Sequence, residues 1–574
     1  MNELLSLMFT RRGYSPEYYH EICQCNHPEP SNIHEMCQLL KQYHDNGVRI
    51  VLLTDFDMDG LMCGVIGYAG LIELGFNVVL AHPNVTTGYG FDANEIDDIK
   101  QKHPDAAVLL TGDVGITAFE GVARARELGM DVLITDHHVP KDMNVNANVI
   151  VDPQFHDDPA YSDICGAHVL YLLLRNYAMH FTPNPDFTVD QIDRLRVFAG
   201  FGTISDNMPM LYENRRLVND ARFSCHYFFS DGNSSNARNI PGCETYKRAF
   251  LGLHILLREI LKGKRVYDVD KDYFNEEFLS FSVIPLFNSI KRMDGDTTTA
   301  YDLFFGTEKQ SVHAIGELIA LNERRKLLVE AAYTKMCSAD QPYSPYVYIV
   351  DTLPGLCGLL AQEALKSTYN PVLVVIENNG SYSGSGRSPE WYPFLKNAGN
   401  HPGWEPAGHE AAFGIKFRDS AALDEYYHFI EQDVAVRKPT AEQLAEQERP
   451  DFTISATNNG DIGISPAVFK AFIADMKACR PFGRGFPKPK ICLCIDPYNV
   501  HWTYMSNGKH AKAQIKRGFS VVLFNQGEFI SEILSDSRTF GELVIMGSLE
   551  DNGGFVQFNG VVHSLGAAQQ LWAP

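Results

Sequence analysis

The chain has 574 residues, 45% of them hydrophobic and 21% charged, which is too much polypeptide for one compact core and predicts three or four globular units. No low-complexity tract, solenoid period or run of about 18 apolar residues occurs, which excludes disordered, repeat and helical membrane classes. The acidic balance, 71 Asp plus Glu against 49 Lys plus Arg, argues against a polyanionic partner only where charge is evenly spread, and here it is not.

Residues 1–44 read as an N-terminal helical segment. Its opening, MNELLSLMFTRRGYS, lacks the basic start, sustained apolar stretch and cleavage site of a secretory leader, so a cytoplasmic protein is expected. Cys23, Cys25 and His27 approach metal-ligand spacing, but no second pair answers them and they read as loop residues. Most other cysteines, among them Cys63, Cys357 and Cys492, lie in apolar segments where a reduced thiol acts as a small hydrophobe.

From 45 to 225, RIVLLTDFD, NVVLAHP, AVLLTGD, DVLITDHH and NVIVDP read as buried strands, with LMCGVIGYAGLIELG and FEGVARARELG as helices between them. Near-continuous apolar strands separated by helices imply an α/β domain with a parallel sheet covered on both faces, whose ligands bind beyond the carboxyl ends of the strands. Residues 226–340 read as helical and end in ELIALNERRKLLVEAAYTKM, a long connecting helix. A smaller α/β pattern, PYVYIVD, LLAQEALKS and NPVLVVIE, occupies 341–436. Residues 437–450 form a polar linker. The last part, 451–574, carries AKAQI, SVVLFN, LVIMGSL and FVQFNGVV and reads as a small OB-like β-barrel.

The strand ends carry the chemistry. Asp55, Asp57 and Asp59 fall in TDFDMDG, Asp113 in TGDVG, His137 and His138 in TDHHV, and Asp206 in GTISDNMP. Converging on one sheet edge, they supply oxygen and imidazole ligands that suit manganese better than calcium or thiolate-bound zinc. So many carboxylates in one crevice repel one another, and a two-metal site answers that repulsion. DxDxDG alone also fits a calcium loop, but Val65 and Ile66 stand where the closing glutamate of such a loop falls. A single DHH also fits a helix cap or a turn; the ordered set does not.

TDFDMDG, TGDVG, TDHHV and GTISDNMP resemble the successive motifs of the DHH phosphoesterases. GYG at 88–90, CGAHV at 165–169, NERRK at 322–326, GLCGLLA at 355–361, GSGRS at 384–388, AGHEAAFG at 407–414 and PFGRGFPKP at 481–489 follow in the order of the RecJ family. The resemblance covers nearly the whole chain from about residue 45. It implies a multidomain α/β protein: a DHH domain and a smaller DHH-associated domain joined by a long helix, then the OB-like barrel. It also implies that Asp59, Asp113, His137 and Asp206 hold one Mn2+ and Asp55, Asp57 and Asp113 the other, with Mg2+ as substitute. Asp113, His137 and His138 are the implied catalytic residues, His138 contacting the scissile phosphate or assisting the leaving oxygen.

Phosphate binding falls by the same likeness to Ser385 and Arg387 in GSGRS, a flexible glycine-rich backbone, and to Gly408 and His409 in AGHEAAFG. Alone, either segment suits a plain turn; after the metal motifs, the pair suits a phosphate pocket. Asn288 and Arg292 in PLFNSIKRM resemble a segment expected near the substrate's 5′ end. Three departures touch that end: PNVTTGYG lacks the arginine usual before GYG, Ala407-Gly408 replaces a double glycine, and Lys291 replaces the glycine before the arginine.

Between Met476 and Ser520 lie nine basic residues, including Lys509, Lys512, Lys516 and Arg517, against the single acid Asp496. Phe482, Phe486, Tyr498, Trp502, Tyr504 and Phe519 stand among them, as a cationic, aromatic single-strand groove requires, although half of these rings are expected in the barrel core. The leading expectation is a monomeric 5′→3′ single-strand DNA exonuclease releasing 5′-mononucleotides, working beside a helicase and a single-strand-binding protein. A phosphodiesterase of short oligonucleotides or cyclic dinucleotides lacks use for the basic segment after Pro450. A non-catalytic DNA-binding scaffold has no need of the full ligand set.

Overall fold

A computed structural model of the chain describes residues 3–15, 17–25, 29–82, 90–140, 143–232, 234–264, 269, 272–338, 340–399, 403–440, 443, 449–455, 465–536, 541–552 and 555–565. It parts into two compact units, one of residues 25–209 and 213–438, the other of residues 1–24, 210–212 and 439–574. No helix among the described residues is long and apolar enough to cross a membrane.

The larger unit opens on five strands: β1 (Arg49–Thr54), β2 (Val78–Ala81), β3 (Ala106–Gly112), β4 (Asp131–Thr135) and β5 (Val149–Val151). They form an all-parallel sheet of order β2-β1-β3-β4-β5, as the apolar runs predict. Alternation assigns the two faces. Ile50, Leu52, Val108, Leu110 and Leu133 pack on one side with the helices Met58–Glu73 and Gly166–Phe181. Val51, Leu53, Leu109, Val132 and Ile134 pack on the other with Ala93–Lys102 and Phe119–Glu127. Burial on both faces leaves the strand ends as the place for polar side chains.

Helices then run to Glu308–Ser338, a single helix of 31 residues that matches the predicted connector. Beyond it lie β6 (Val347–Ile349), β7 (Val372–Asn378), β8 (Ser381–Arg387), β9 (Glu405–His409) and β10 (Ala412–Phe417), in the order β6-β7-β8-β10-β9. The GSGRS segment is not the flexible loop expected from its glycines. It lies in β8, hydrogen-bonded to β7 on one side and β10 on the other. A side chain at Gly384 would overlap the Val374 carbonyl and one at Gly386 the Phe413 ring, so these glycines serve close packing rather than mobility.

The smaller unit holds β11 (Phe452–Ser455), β12 (Ile491–Ile495), β13 (His501–Met505), β14 (His510–Lys516), β15 (Phe519–Leu523), β16 (Leu543–Asn552) and β17 (Phe555–Leu565). Their order is β11-β12-β16-β17-β15-β14-β13, with parallel pairs β11–β12 and β15–β17 among antiparallel ones. The region expected as a small OB-like barrel is thus a seven-stranded mixed sheet, flanked in sequence by the helices Pro466–Ala478 and Gly527–Ser535.

The segment expected as one N-terminal piece divides. Helix Ile33–Asp45 packs on the first sheet's core, whereas residues 3–24 belong to the smaller unit. The Arg12 guanidinium explains the second part: Nε and Nη2 each lie 2.7 Å from an Asp451 carboxylate oxygen, and Nη1 donates to the Pro487 carbonyl at 2.7 Å. Phe9 and Tyr14 pack on Phe486, so the aromatics of PFGRGFPKP are core.

Candidate metal centre

Each predicted ligand sits where a strand or helix stops. Asp55 follows β1, Asp113 follows β3, and His137 and His138 follow β4. Asp57 caps the helix Met58–Glu73, its carboxylate accepting from the amides of Asp59 (2.9 Å) and Gly60 (3.2 Å). Asp59, in the first turn of that helix, accepts from the amides of Gly166 (2.6 Å) and Ala167 (3.2 Å) at the start of another, Gly166–Phe181. Asp206 caps the C-terminus of Arg196–Ser205.

Two glycines let these elements close. A side chain at Gly166 would overlap Asp113, and one at Gly202 the Asp59 carboxylate. Asp113 itself has φ of 64°, a left-handed backbone that a non-glycine residue holds at a cost of about 1 kcal/mol, and its amide is fixed by donating to the Thr135 carbonyl at 3.0 Å.

The side chains converge at this edge of the sheet. His137 Nε2 lies 3.1 Å from Asp113 Oδ1, 3.3 Å from Asp206 Oδ2 and 3.9 Å from Asp59 Oδ2. Three overlapping groups result, Asp59 with His137 and Asp206, Asp113 with His137 and His138, and Asp55 with Asp57 and Asp113, and within each the ligand atoms all lie within 4.8 Å of one another. Asp113 Oδ1 and His137 Nε2 are buried without a hydrogen-bond partner. Burial, followed by Asp57, drives the Asp55 carboxyl up to about 8. Burial and neighbouring carboxylates raise Asp57, Asp59 and Asp113 as well. Burial, then His138, lowers His137, which keeps its imidazole neutral and able to ligate. Crowded carboxyls that resist ionisation, an orphaned oxygen and a neutral imidazole are the donor set that divalent cations would satisfy.

His138 differs from its neighbour. Burial lowers it, but Asp136 outweighs burial and lifts it to about 9. Asp136 Oδ1 lies 2.8 Å from His138 Nδ1 and accepts from the His137 amide, while its Oδ2 accepts from Ile116. Asp136, the first residue of the DHH motif, was assigned no role from the sequence. The local signal was there: an aspartate at a strand end can accept from the next two amides.

The expected substrate residues separate into groups. Asn288 Oδ1 accepts from the Met58 amide at 3.2 Å, so it props the aspartate-rich turn. Arg292 is gathered with Arg387 and with Arg325 of NERRK, which sequence reasoning did not single out. Burial, then Arg325 and Arg387, lowers Arg292 to about 10, and no described carboxylate pairs with any of the three. Gly355 packs on the Arg292 backbone and Gly358 on the Arg387 guanidinium, which explains both glycines of GLCG. Ser385 shares β8 with Arg387. Gly408 (φ 129°) and the exposed His409 lie on β9, with β10 between the two strands. The PNVTTGY stretch and His27 fall outside the described residues.

In the smaller unit Lys512 and Lys516 lie on β14, while Lys509 and Arg517 are exposed in the turns at its two ends. Lys512, Gln514, Ser520, Phe555 and Gln557 line a cavity of about 270 Å³ on one sheet face. Phe555, unnoticed in the sequence, is 60% exposed, whereas Phe482, Phe486, Trp502 and Phe519 are core and Tyr498 and Tyr504 are partly exposed.

Residues 49–193 match the N-terminal domain of the DHH family. The chain is 26% identical over 538 residues to the single-stranded-DNA-specific exonuclease RecJ of Thermus thermophilus, covering 89% of this chain and 69% of that protein. It is 24% identical over 490 residues to the Haemophilus influenzae protein of the same name, covering 81% and 77%. The crystal structure of Thermus thermophilus RecJ in complex with Mn2+ superposes with a TM-score of 0.71 at 22% identity, spanning 99% of this chain and 76% of that one.

Proposed function

We infer that this chain, a RecJ-like member of the DHH family, is a metal-dependent phosphodiester hydrolase that degrades single-stranded DNA from the 5′ end to 5′-mononucleotides. The observation that carries the reading is that Asp113 is grouped with Asp55 and Asp57 on one side and with His137 on the other, its Oδ1 facing His137 Nε2 at 3.1 Å with neither atom hydrogen-bonded. Asp59, Asp113, His137 and Asp206 would hold one ion and Asp55, Asp57 and Asp113 the other, Mn2+ by preference and Mg2+ as substitute. Bound there, divalent cations acidify water and offset charge developing on the phosphoryl oxygens.

The chain's own groups do the rest. Asp113, strained and fixed by β3 and β4, aligns the two halves of the centre. His138, kept protonated by Asp136, delivers a proton to the leaving 3′-oxygen. Arg292, Arg325 and Arg387, with Ser385 and His409, hold the phosphates, because guanidinium groups without acid partners bind them most strongly. Lys509, Lys512, Lys516 and Arg517 draw in the strand and Phe555 stacks a base. The enzyme acts in the cytoplasm as a monomer, on strands opened by a helicase or coated by a single-strand-binding protein.

The test is degradation of 5′- and 3′-labelled single strands with Mn2+, beside a dinucleotide and a cyclic dinucleotide, for the wild type and Asp113→Ala. Stepwise loss of 5′-mononucleotides from the polymer, abolished by Asp113→Ala, is expected. Cleavage of the dinucleotides alone would overturn the reading.

A further inference from the structure

Lys291 stands where the family pattern has glycine, and the fold gives its charge a definite place. It belongs to the helix Ile284–Arg292. Three residues earlier on that helix, Asn288 holds the Met58 amide, so both side chains reach toward the same aspartate-rich turn. Lys291 Nζ lies 3.7 Å from the centroid of the Phe56 ring, and Phe56, 1% exposed, stands between Asp55 and Asp57 in the chain. The ring keeps the ammonium beside the cluster. No described carboxylate lies within ion-pair distance of it, although its charge favours ionisation of both Asp55 and Asp57. The next residue, Arg292, lies with Arg325 and Arg387 and feels Asp57 as well. Of the two cations at this helix end, Lys291 is the one that acts on both Asp55 and Asp57.

We propose that Lys291 is a built-in counter-cation for the Asp55–Asp57 half of the centre, making the two metal positions unequal. This rests on the reading of these residues as metal ligands. His138 stands beside both positions, but no described lysine or arginine pairs with Asp59 or Asp206, so the position built on Asp59, His137 and Asp206 lacks a second cation of this kind and fills first. The position built on Asp55, Asp57 and Asp113 takes its divalent ion against a fixed positive charge held well inside a Debye length, which weakens binding by on the order of tenfold. The same ammonium moderates repulsion among the carboxylates before that ion arrives. Occupancy of the weaker position then sets the metal concentration at which the enzyme works.

The experiment is calorimetric titration of the metal-free full chain with Mn2+, for wild type, Lys291→Met and Lys291→Arg, with Lys291→Gln as a second neutral variant should the methionine one fail to fold. Two separated steps are expected in the wild type. Removing the charge should tighten the weaker step about tenfold and leave the stronger within about twofold, while arginine keeps the wild-type profile. Unchanged or weakened binding in both neutral variants overturns the proposal. So does a raised KM for single strands with unchanged Mn2+ titration, which makes Lys291 a phosphate contact. Asp113→Ala separates the two readings: if it retains both steps, the metal assignment itself falls; if it loses them and Lys291→Met changes nothing, only the role of Lys291 does.

Discussion

Metal removal should make the stability of this protein fall as pH rises. Asp55, 5% exposed, is lifted from 3.8 to about 8 by burial first and Asp57 second. A carboxyl whose folded value lies above its unfolded one stabilises the fold while it stays protonated there. That contribution is complete below about pH 4 and is lost as pH rises through about 8. For Asp55 alone the swing is of the order of 5 kcal/mol, a large part of the stability of a typical domain. Asp57, Asp59 and Asp113 are raised too and act in the same direction. His138, raised to about 9, adds stability below its unfolded value and loses it on approaching 9; His137, lowered, acts in the opposite direction and only up to its unfolded value near 6.5. Thermal melts in EDTA between about pH 5.5 and 8.5 should therefore show a falling Tm. Divalent cations ionise the same carboxyls, so the gain in Tm on adding Mn2+ should widen with pH. A flat or rising Tm in EDTA, with one constant gain from Mn2+ at every pH, would refute the electrostatic account of the cluster.

Other substitutions probe separate links. Gly202→Ala pushes a methyl into the Asp59 carboxylate, so activity should fall by about 10²-fold and Mn2+ binding weaken while circular dichroism stays native; full activity would sink the packing argument. Asp136→Asn removes the partner that keeps His138 charged, so the alkaline limb of the rate profile should move down from about 9, and an unmoved limb would show that Asp136 plays no such part. Phe555→Ala should loosen single strands by about 1–3 kcal/mol with the salt dependence intact, whereas Lys512→Ala should flatten the slope of log K against log salt by about 0.7. Identical salt slopes in the two variants would contradict the division between stacking and charge.

The first sheet was legible because burial on both faces writes unbroken apolar runs, and its strand ends were legible because acids and histidines interrupt those runs at once. The second sheet was not: β8 is glycine and serine where it is squeezed between β7 and β10, a composition that also describes a turn. In the smaller unit the individual strands could be read, but the parallel pairings β11–β12 and β15–β17 join segments remote in sequence and leave no local mark. The candidate ligands were visible as residues, yet the positive φ of Asp113 and the buttressing of Asp59 by a second helix depend on contacts between elements. Asn288 shows the same limit. Its residue type suits a substrate contact, and only its hydrogen bond to Met58 reveals that it supports the turn.

The grip of Arg12 on Asp451 spans 439 positions of sequence, and during synthesis it becomes an interval of time. At about 5–20 residues per second, the segment carrying Phe9, Arg12 and Tyr14 waits roughly 20–90 s after emerging before its partners exist. Throughout that wait the aromatic side chains destined for Phe486 lack that partner, while residues 25–209 and 213–438 can complete their fold. The earliest part of the nascent protein is thus among the last to be secured, and a chain halted just as residue 438 clears the ribosome would carry a finished larger unit trailing an uncovered apolar segment.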